Sequence, residues 1–294
     1  MTQIANNTKS LLNNASILIS KPKNVFYLDI RKWIKLTLAF EEPSLAGTIF
    51  MDNIPKYPEN FQTGLFLVGF RSMARNIAAL HKYWTHEYIV NGVLGIKTND
   101  FYIDSKVVDK RPYSFVTPNI LEYSFLKFIG EKNQKFPPKS DNFKSWEKIE
   151  RSGKKQYENS LLEEENHLQS DDEKEGEFTP KLGYSGKIVN CNSIKLIDYS
   201  PPNFTLRVNC DALLSCRSLI NDIGDHLGCN ATITSLHLQC IGPFHYDKDE
   251  YLQKHELHIE PVKKNILLTS PKCVKYSKFL RSLYPTASPF YRFM

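Results

Sequence analysis

The chain has 294 residues, 41% hydrophobic and 24% charged. This is the profile of a folded protein rather than a disordered one, with room for one large domain or two small ones at about 150 residues each. No stretch approaches the ~18 uninterrupted apolar residues of a membrane helix, which argues against a spanning protein. The net charge of +6 conceals an asymmetry: residues 162–177 hold eight acids and one base, −7 in all, leaving +13 on the rest. A body that positive suits an anionic partner such as RNA, and a merely soluble basic protein fits the charge equally well. Six cysteines, at 191, 210, 216, 229, 240 and 273, form no CxxC pair. That argues against a zinc ribbon or a disulfide framework and for a reducing compartment.

Residues 1–16 read as a flexible N-terminus. The first 28 residues contain no acid, only Lys9, Lys21 and Lys23 as bases. Transit peptides are acid-poor and Ser-rich but also Arg-rich, and Arg is absent here. The segment 17–28, ILISKPKNVFYL, predicts two short strands broken at Lys21-Pro22. Residues 64–70, GLFLVGF, predict a buried strand opened by glycine. Met73, Ile77, Leu80 and Trp84 then recur at helical spacing, and Tyr88–Ile96 returns to a strand pattern. Thr117-Pro118 predicts a helix start with Pro at the first helical position, and Leu121, Phe125, Phe128 and Ile129 form its apolar stripe.

From about 131 to 186 the chain turns polar and loop-like, first basic and then acidic. It reads as an insertion within one fold, because neither flank resembles a complete domain. Beyond it, Phe204, Leu206, Val208 and Cys210 alternate with polar residues in the clearest strand of the sequence. A helix follows, with Leu219, Ile220, Ile223 and Leu227 inward and Gly228 placed to cap it. The fold class is α+β, a mixed α/β arrangement without internal repeats.

Arg217 falls in the opening turn of that helix, directly after a buried strand. An arginine there is partly desolvated and cannot shed its charge, so it needs a carboxylate partner. An exposed arginine at a helix end is the commoner alternative.

The segment Cys210-Asp-Ala-Leu-Leu-Ser-Cys-Arg217-Ser-Leu-Ile-Asn-Asp-Ile-Gly224, followed by Leu227-Gly228-Cys229, Leu236 and Gly242-Pro243-Phe244, resembles the C-terminal motif of the TruB family of RNA pseudouridine synthases. Glu87–Phe101 resembles that family's tyrosine strand and its Gly-x-x-Thr-Asp turn, nearest the mitochondrial mRNA pseudouridine synthase branch. Lys21-Pro22-Lys23-Asn24 is similar to the N-terminal Lys-Pro-x-Gly strand end, and Gly153–Glu158 to the Gly-x-x-x-Tyr-Glu turn. These blocks span most of residues 17–245 in the family's order.

The resemblance implies a pseudouridine synthase fold, a largely antiparallel central sheet flanked by helices, and a cofactor-free isomerisation of uridine in an RNA stem-loop. Glu59, five residues before the motif glycine Gly64, stands at the position of the family's nucleophilic aspartate; Asp52 is too far upstream for it. Arg217 would be its ion-pair partner and Tyr88 the platform for the flipped base. Tyr157, Lys21 and Leu236 would contact the substrate. The branch implies a mitochondrial location. The chain departs from the family pattern at Pro58, at Ser215, at His86 and in Leu236-His237-Leu238, where the family carries Leu, Tyr, Lys and Leu-Arg-Arg. These departures leave open a second reading, an RNA-binding or RNA-folding protein whose catalysis has lapsed, and a third, a subunit that docks protein partners through 131–186.

Residues 17–245 would form the catalytic domain. Only about 50 residues follow Gly242-Pro243-Phe244, so 246–294 reads as an extension of it, a final strand and tail, rather than a separate RNA-binding module. His255 and His258 lack a third ligand at metal-site spacing and read as surface residues. Neither GxSxG nor a glycine-rich phosphate loop occurs.

Overall fold

The computed structural model describes residues 11–41, 43, 51–54, 61–135 and 187–285. In chain order the elements are β1 (Ser16–Lys21), α1 (Tyr27–Glu41), β2 (Met51–Ile54), β3 (Gln62–Phe70), α2 (Arg71–Leu80), β4 (Thr85–Leu94), β5 (Ile96–Thr98), β6 (Val107–Lys110), α3 (Pro118–Phe125), β7 (Gly130–Gln134), β8 (Lys187–Ser200), β9 (Asn203–Asp211), α4 (Cys216–Leu227), β10 (Ala231–Ile241), β11 (Phe244–His245) and α5 (Ile259–Leu283). Among the described residues the strands form a nine-stranded sheet in the order β1-β3-β10-β4-β9-β8-β7, with β2 beside β3 and β11 beside β10; β5 and β6 pair separately. The fold is a mixed α+β structure with a mostly antiparallel sheet, as the sequence led us to expect.

β3 explains its own composition. Leu65 and Leu67 enter one apolar cluster, with Val90, Leu206, Val208, Leu219, Ile220 and Ile223. Phe66, Val68 and Phe70 enter another, with Ile30, Ile34, Val262 and Ile266. A strand covered on both faces reads as a continuous apolar run rather than an alternation. The ladder of β3 with β10 is parallel, pairing Gln62, Thr63 and Gly64 with Leu236, His237 and Leu238. Gly64 has φ +100°, and a Cβ there would collide with the Leu238 backbone, so only glycine lets the chain join the sheet at this point.

α5 and the segment before it close the edge of the sheet at β1. The Ser16 N–H donates to Ser270 Oγ at 2.8 Å, Leu18 N–H to Asn265 Oδ1 at 2.8 Å, and Ser20 N–H to the Leu252 carbonyl at 2.9 Å. The outward donors of the edge strand are thereby satisfied, which blocks pairing with another chain.

Several expectations hold. Thr117 caps α3, its hydroxyl accepting from Ile120 N–H at 3.3 Å, and Gly228 ends α4 at φ +75°. Others are corrected. Residues 24–28 do not form a second strand: Asn24 turns the chain at φ +59° and Tyr27 opens a helix that buries Ile30, Ile34 and Leu38 at four-residue spacing. Ile129 is exposed rather than part of the α3 stripe, since α3 stops at Phe125. Residues 131–134 belong to β7 and pair with β8, so that part of the expected insertion is sheet; the remainder, 136–186, lies outside the described residues. The stretch after Phe244 carries a 25-residue helix, α5, where a final strand and tail were expected. No helix among the described residues is long and apolar enough to cross a membrane.

Candidate active site

The turn from β9 into α4 is fixed from three directions. Asp211 ends β9, and its carboxylate accepts the N–H groups of Leu213 and Leu214, both at 2.9 Å, and of Asn190 at 2.7 Å. Burial nevertheless pushes the Asp211 carboxyl above its usual range, the three donors opposing the shift. From β7, Gln134 accepts the Ser215 N–H at 2.8 Å and donates to the Ser215 carbonyl at 3.0 Å. The Ser215 hydroxyl accepts from Ser218 N–H at 3.4 Å and caps the helix.

Arg217 is thus presented from a rigid first turn, and it is buried, with 8% of its surface exposed. Its Nη1 donates to the carbonyl oxygen of Asp100 at 2.9 Å and lies 4.0 Å from Oδ2 of the same residue. Asp100, 4% exposed, is the carboxylate that a buried guanidinium demands. Glu59, the partner expected from the sequence, lies outside the described residues, and Asp100 was not singled out there. In its turn Asp100 stands one residue beyond the Gly-x-x-Thr-Asp spacing, whose last position here is Asn99.

That turn is anchored in the sheet. Asp100 Oδ1 accepts the Tyr102 N–H at 3.0 Å, Ile103 N–H donates to the Ile233 carbonyl at 3.0 Å, and Ile233 N–H returns to the Phe101 carbonyl at 3.3 Å. Phe61, at the start of β3, lies flat on Tyr102 with centroids 4.1 Å apart. The next residue, Gln62, receives the buried Lys21 ammonium on its carbonyl at 2.6 Å and pairs across the ladder with Leu236.

Of the six residues singled out in the sequence, the structure describes four. Lys21 and Leu236 meet at Gln62, and Arg217 meets the turn on which Phe61 rests. Tyr88 is buried on β4, between Val208 of β9 and Leu238 of β10, in the same apolar cluster as Phe61, Cys216 and Leu236. Its hydroxyl lies 3.0 Å from His86 Nδ1. Glu59 and Tyr157 lie outside the described residues.

Among the described residues no group of three or more His, Cys, Asp or Glu side chains is placed to hold a metal ion. His255 and His258 are exposed, and all six cysteines are free. What remains is a buried guanidinium–carboxylate pair and an aromatic stack beside the start of β3. The arrangement places a fixed positive charge close to aromatic rings.

No family model matches the chain. Among curated proteins it is 24% identical over 281 residues to the tRNA pseudouridine synthase B of Thermosipho melanesiensis, covering 92% of this chain and 78% of that protein. It is 26% identical over 188 residues to the Xenopus tropicalis protein named pseudouridylate synthase TRUB2, mitochondrial, covering 63% of this chain and 51% of the relative. Among solved structures, a chain of a Cbf5–Nop10–Gar1 complex shares the fold, with a TM-score of 0.60 and 17% identity over 91% of this chain and 64% of that one. The chain therefore spans about half to three quarters of the length of these proteins.

Proposed function

We propose that this chain, similar over most of its length to tRNA pseudouridine synthase B, is a TruB-type RNA pseudouridine synthase that isomerises uridine to pseudouridine in an RNA stem-loop, with Glu59 as nucleophile. The observation that carries the reading is Arg217, a buried cation held at the Asp100 turn. Glu59 precedes by two residues the Phe61 ring stacked on that same turn.

In the proposed reaction the Glu59 carboxylate, kept ionised by the Arg217 guanidinium, attacks C1′ of the target uridine. The N1–C1′ bond breaks and its electron pair leaves with the uracil. The ring turns, C5 bonds to C1′, and the carboxylate is released. C5 loses its proton and N1 gains one, so the composition is unchanged and no cofactor is required. Tyr88 offers a ring face to the extruded base, offsetting part of the few kcal/mol that unstacking costs. Leu236 packs in the uridine pocket, and Lys21 and Tyr157 contact the substrate. Residues 17–245 form the catalytic domain, with 246–294 as its extension. The likeness to the frog relative and the acid-free first 28 residues favour a mitochondrial location.

One observation favours a second reading, an RNA-binding protein without turnover. Glutamate is one methylene longer than the family's aspartate, and a misplacement of roughly 1 Å can cost about a hundredfold in rate. A single-turnover assay on uridine-containing stem-loops with wild type, Glu59→Asp and Glu59→Ala decides between them. The enzyme reading predicts measurable conversion by wild type and none by Glu59→Ala. Equal background in both, with RNA binding intact and steeply salt-dependent, establishes the second reading.

A further inference from the structure

Strand β4 carries a second polar group on the same face as Tyr88. His86, two residues earlier, is completely buried. Cys210 of β9 and Ile241 of β10 flank it across the sheet. The two rings meet edge to face, 5.7 Å apart at 77°, and His86 Nδ1 stands 3.0 Å from the Tyr88 hydroxyl. His86 Nε2 is buried without a hydrogen-bond partner among the described residues. A buried polar ring with one nitrogen unmatched is destabilising, and an apolar side chain of similar size would avoid that loss. The position is thus not optimised for stability, and among the described residues the imidazole's hydrogen bond is to the proposed base platform.

We propose that His86 is a positioning residue for Tyr88, fixing the phenol ring through the Nδ1–hydroxyl hydrogen bond so that its face meets the extruded uracil. The inference rests on the reading of Tyr88 given above. His86 does not take the phenolic proton. Burial, reinforced by nearby His81, pushes its pKa down to about 3, so the ring is a poor proton acceptor near neutral pH. The imidazole acts as a neutral anchor.

Single-turnover rates, RNA affinity and urea stability of wild type, His86→Phe and His86→Asn test this, together with ring-nitrogen NMR of His86 in wild type and Tyr88→Phe. Asn can place a hydrogen-bonding atom near the Nδ1 position, whereas Phe fills the volume without one. We expect His86→Phe to slow conversion at saturating RNA by about tenfold with unchanged affinity and equal or greater stability. His86→Asn should recover most of the rate while being the less stable variant. Tyr88→Phe should shift the His86 Nδ1 resonance. A His86→Phe enzyme as fast as wild type, rates that follow stability instead of hydrogen bonding, or an unmoved Nδ1 resonance overturns the proposal. No conversion by wild type overturns the isomerase reading and with it any positioning role for His86. Conversion by wild type with an indifferent His86→Phe overturns the positioning role alone.

Discussion

Phe61 and Tyr102 lie face to face, 4.1 Å between centroids and 10° from parallel, joining the residue before β3 to the turn that carries Asp100. Phe61→Leu keeps most of the apolar volume and should cost less than about 1.5 kcal/mol. If the proposed site is right, conversion should fall more than stability, because Phe61 no longer stacks on the turn that carries Asp100. Urea unfolding and single-turnover kinetics on the same variant check that rate and stability separate.

Asp100 gives Arg217 both a carbonyl and a carboxylate. Asp100→Ala removes a carboxylate 4.0 Å from the buried guanidinium and should lose about 1–3 kcal/mol of stability. Asp100→Asn keeps the shape but removes the charge, and should fall between Ala and wild type in both urea midpoint and conversion rate. Equal stability of Asp100→Ala and wild type is the result that contradicts the pairing.

Two glycines share a left-handed backbone and differ in their surroundings. Gly64 (φ +100°) faces the Leu238 backbone, while at Gly130 (φ +91°) a Cβ would meet nothing within 4 Å. Gly130→Ala should cost only the conformational strain, about 1–2 kcal/mol. Gly64→Ala adds a backbone collision in the parallel ladder and should cost at least twice as much. Denaturant midpoints of the two variants measure the difference.

His86 also sets an acid limit on stability. Its pKa falls from 6.5 to about 3 on folding, chiefly through burial, so below pH 6.5 the unfolded chain binds the proton that the folded chain refuses. The stabilisation is complete above that pH and is lost progressively as pH falls toward 3, about 2 kcal/mol of it by pH 5. His86→Asn should lose less stability than wild type between pH 7.5 and pH 5 in paired urea titrations.

Parts of the framework around this site were legible in the sequence. Gly64 and Arg217 were identified because a backbone constraint and a buried charge leave marks in residue type and order, and the Thr117 and Gly228 caps were visible for the same reason. α1 was misread because Lys21-Pro22 suggested a break between strands, whereas Asn24 makes the turn and Ile30, Ile34 and Leu38 supply the helical face. α5 escaped notice: Pro271 interrupts its pattern, and its polar residues Asn265 and Ser270 serve the edge of β1 rather than solvent. Gln134 was assigned to an insertion because its role is a tertiary one, clamping the Ser215 backbone from 81 residues away.

The central claim is that Glu59 and Arg217 act as a unit on the uridine. A double-mutant cycle of Glu59→Gln and Arg217→Lys, read as single-turnover pseudouridine formation, tests it most directly. The account predicts that each single variant slows conversion severely and that the double variant is hardly slower than either one. Two independent losses that multiply in the double variant would contradict it.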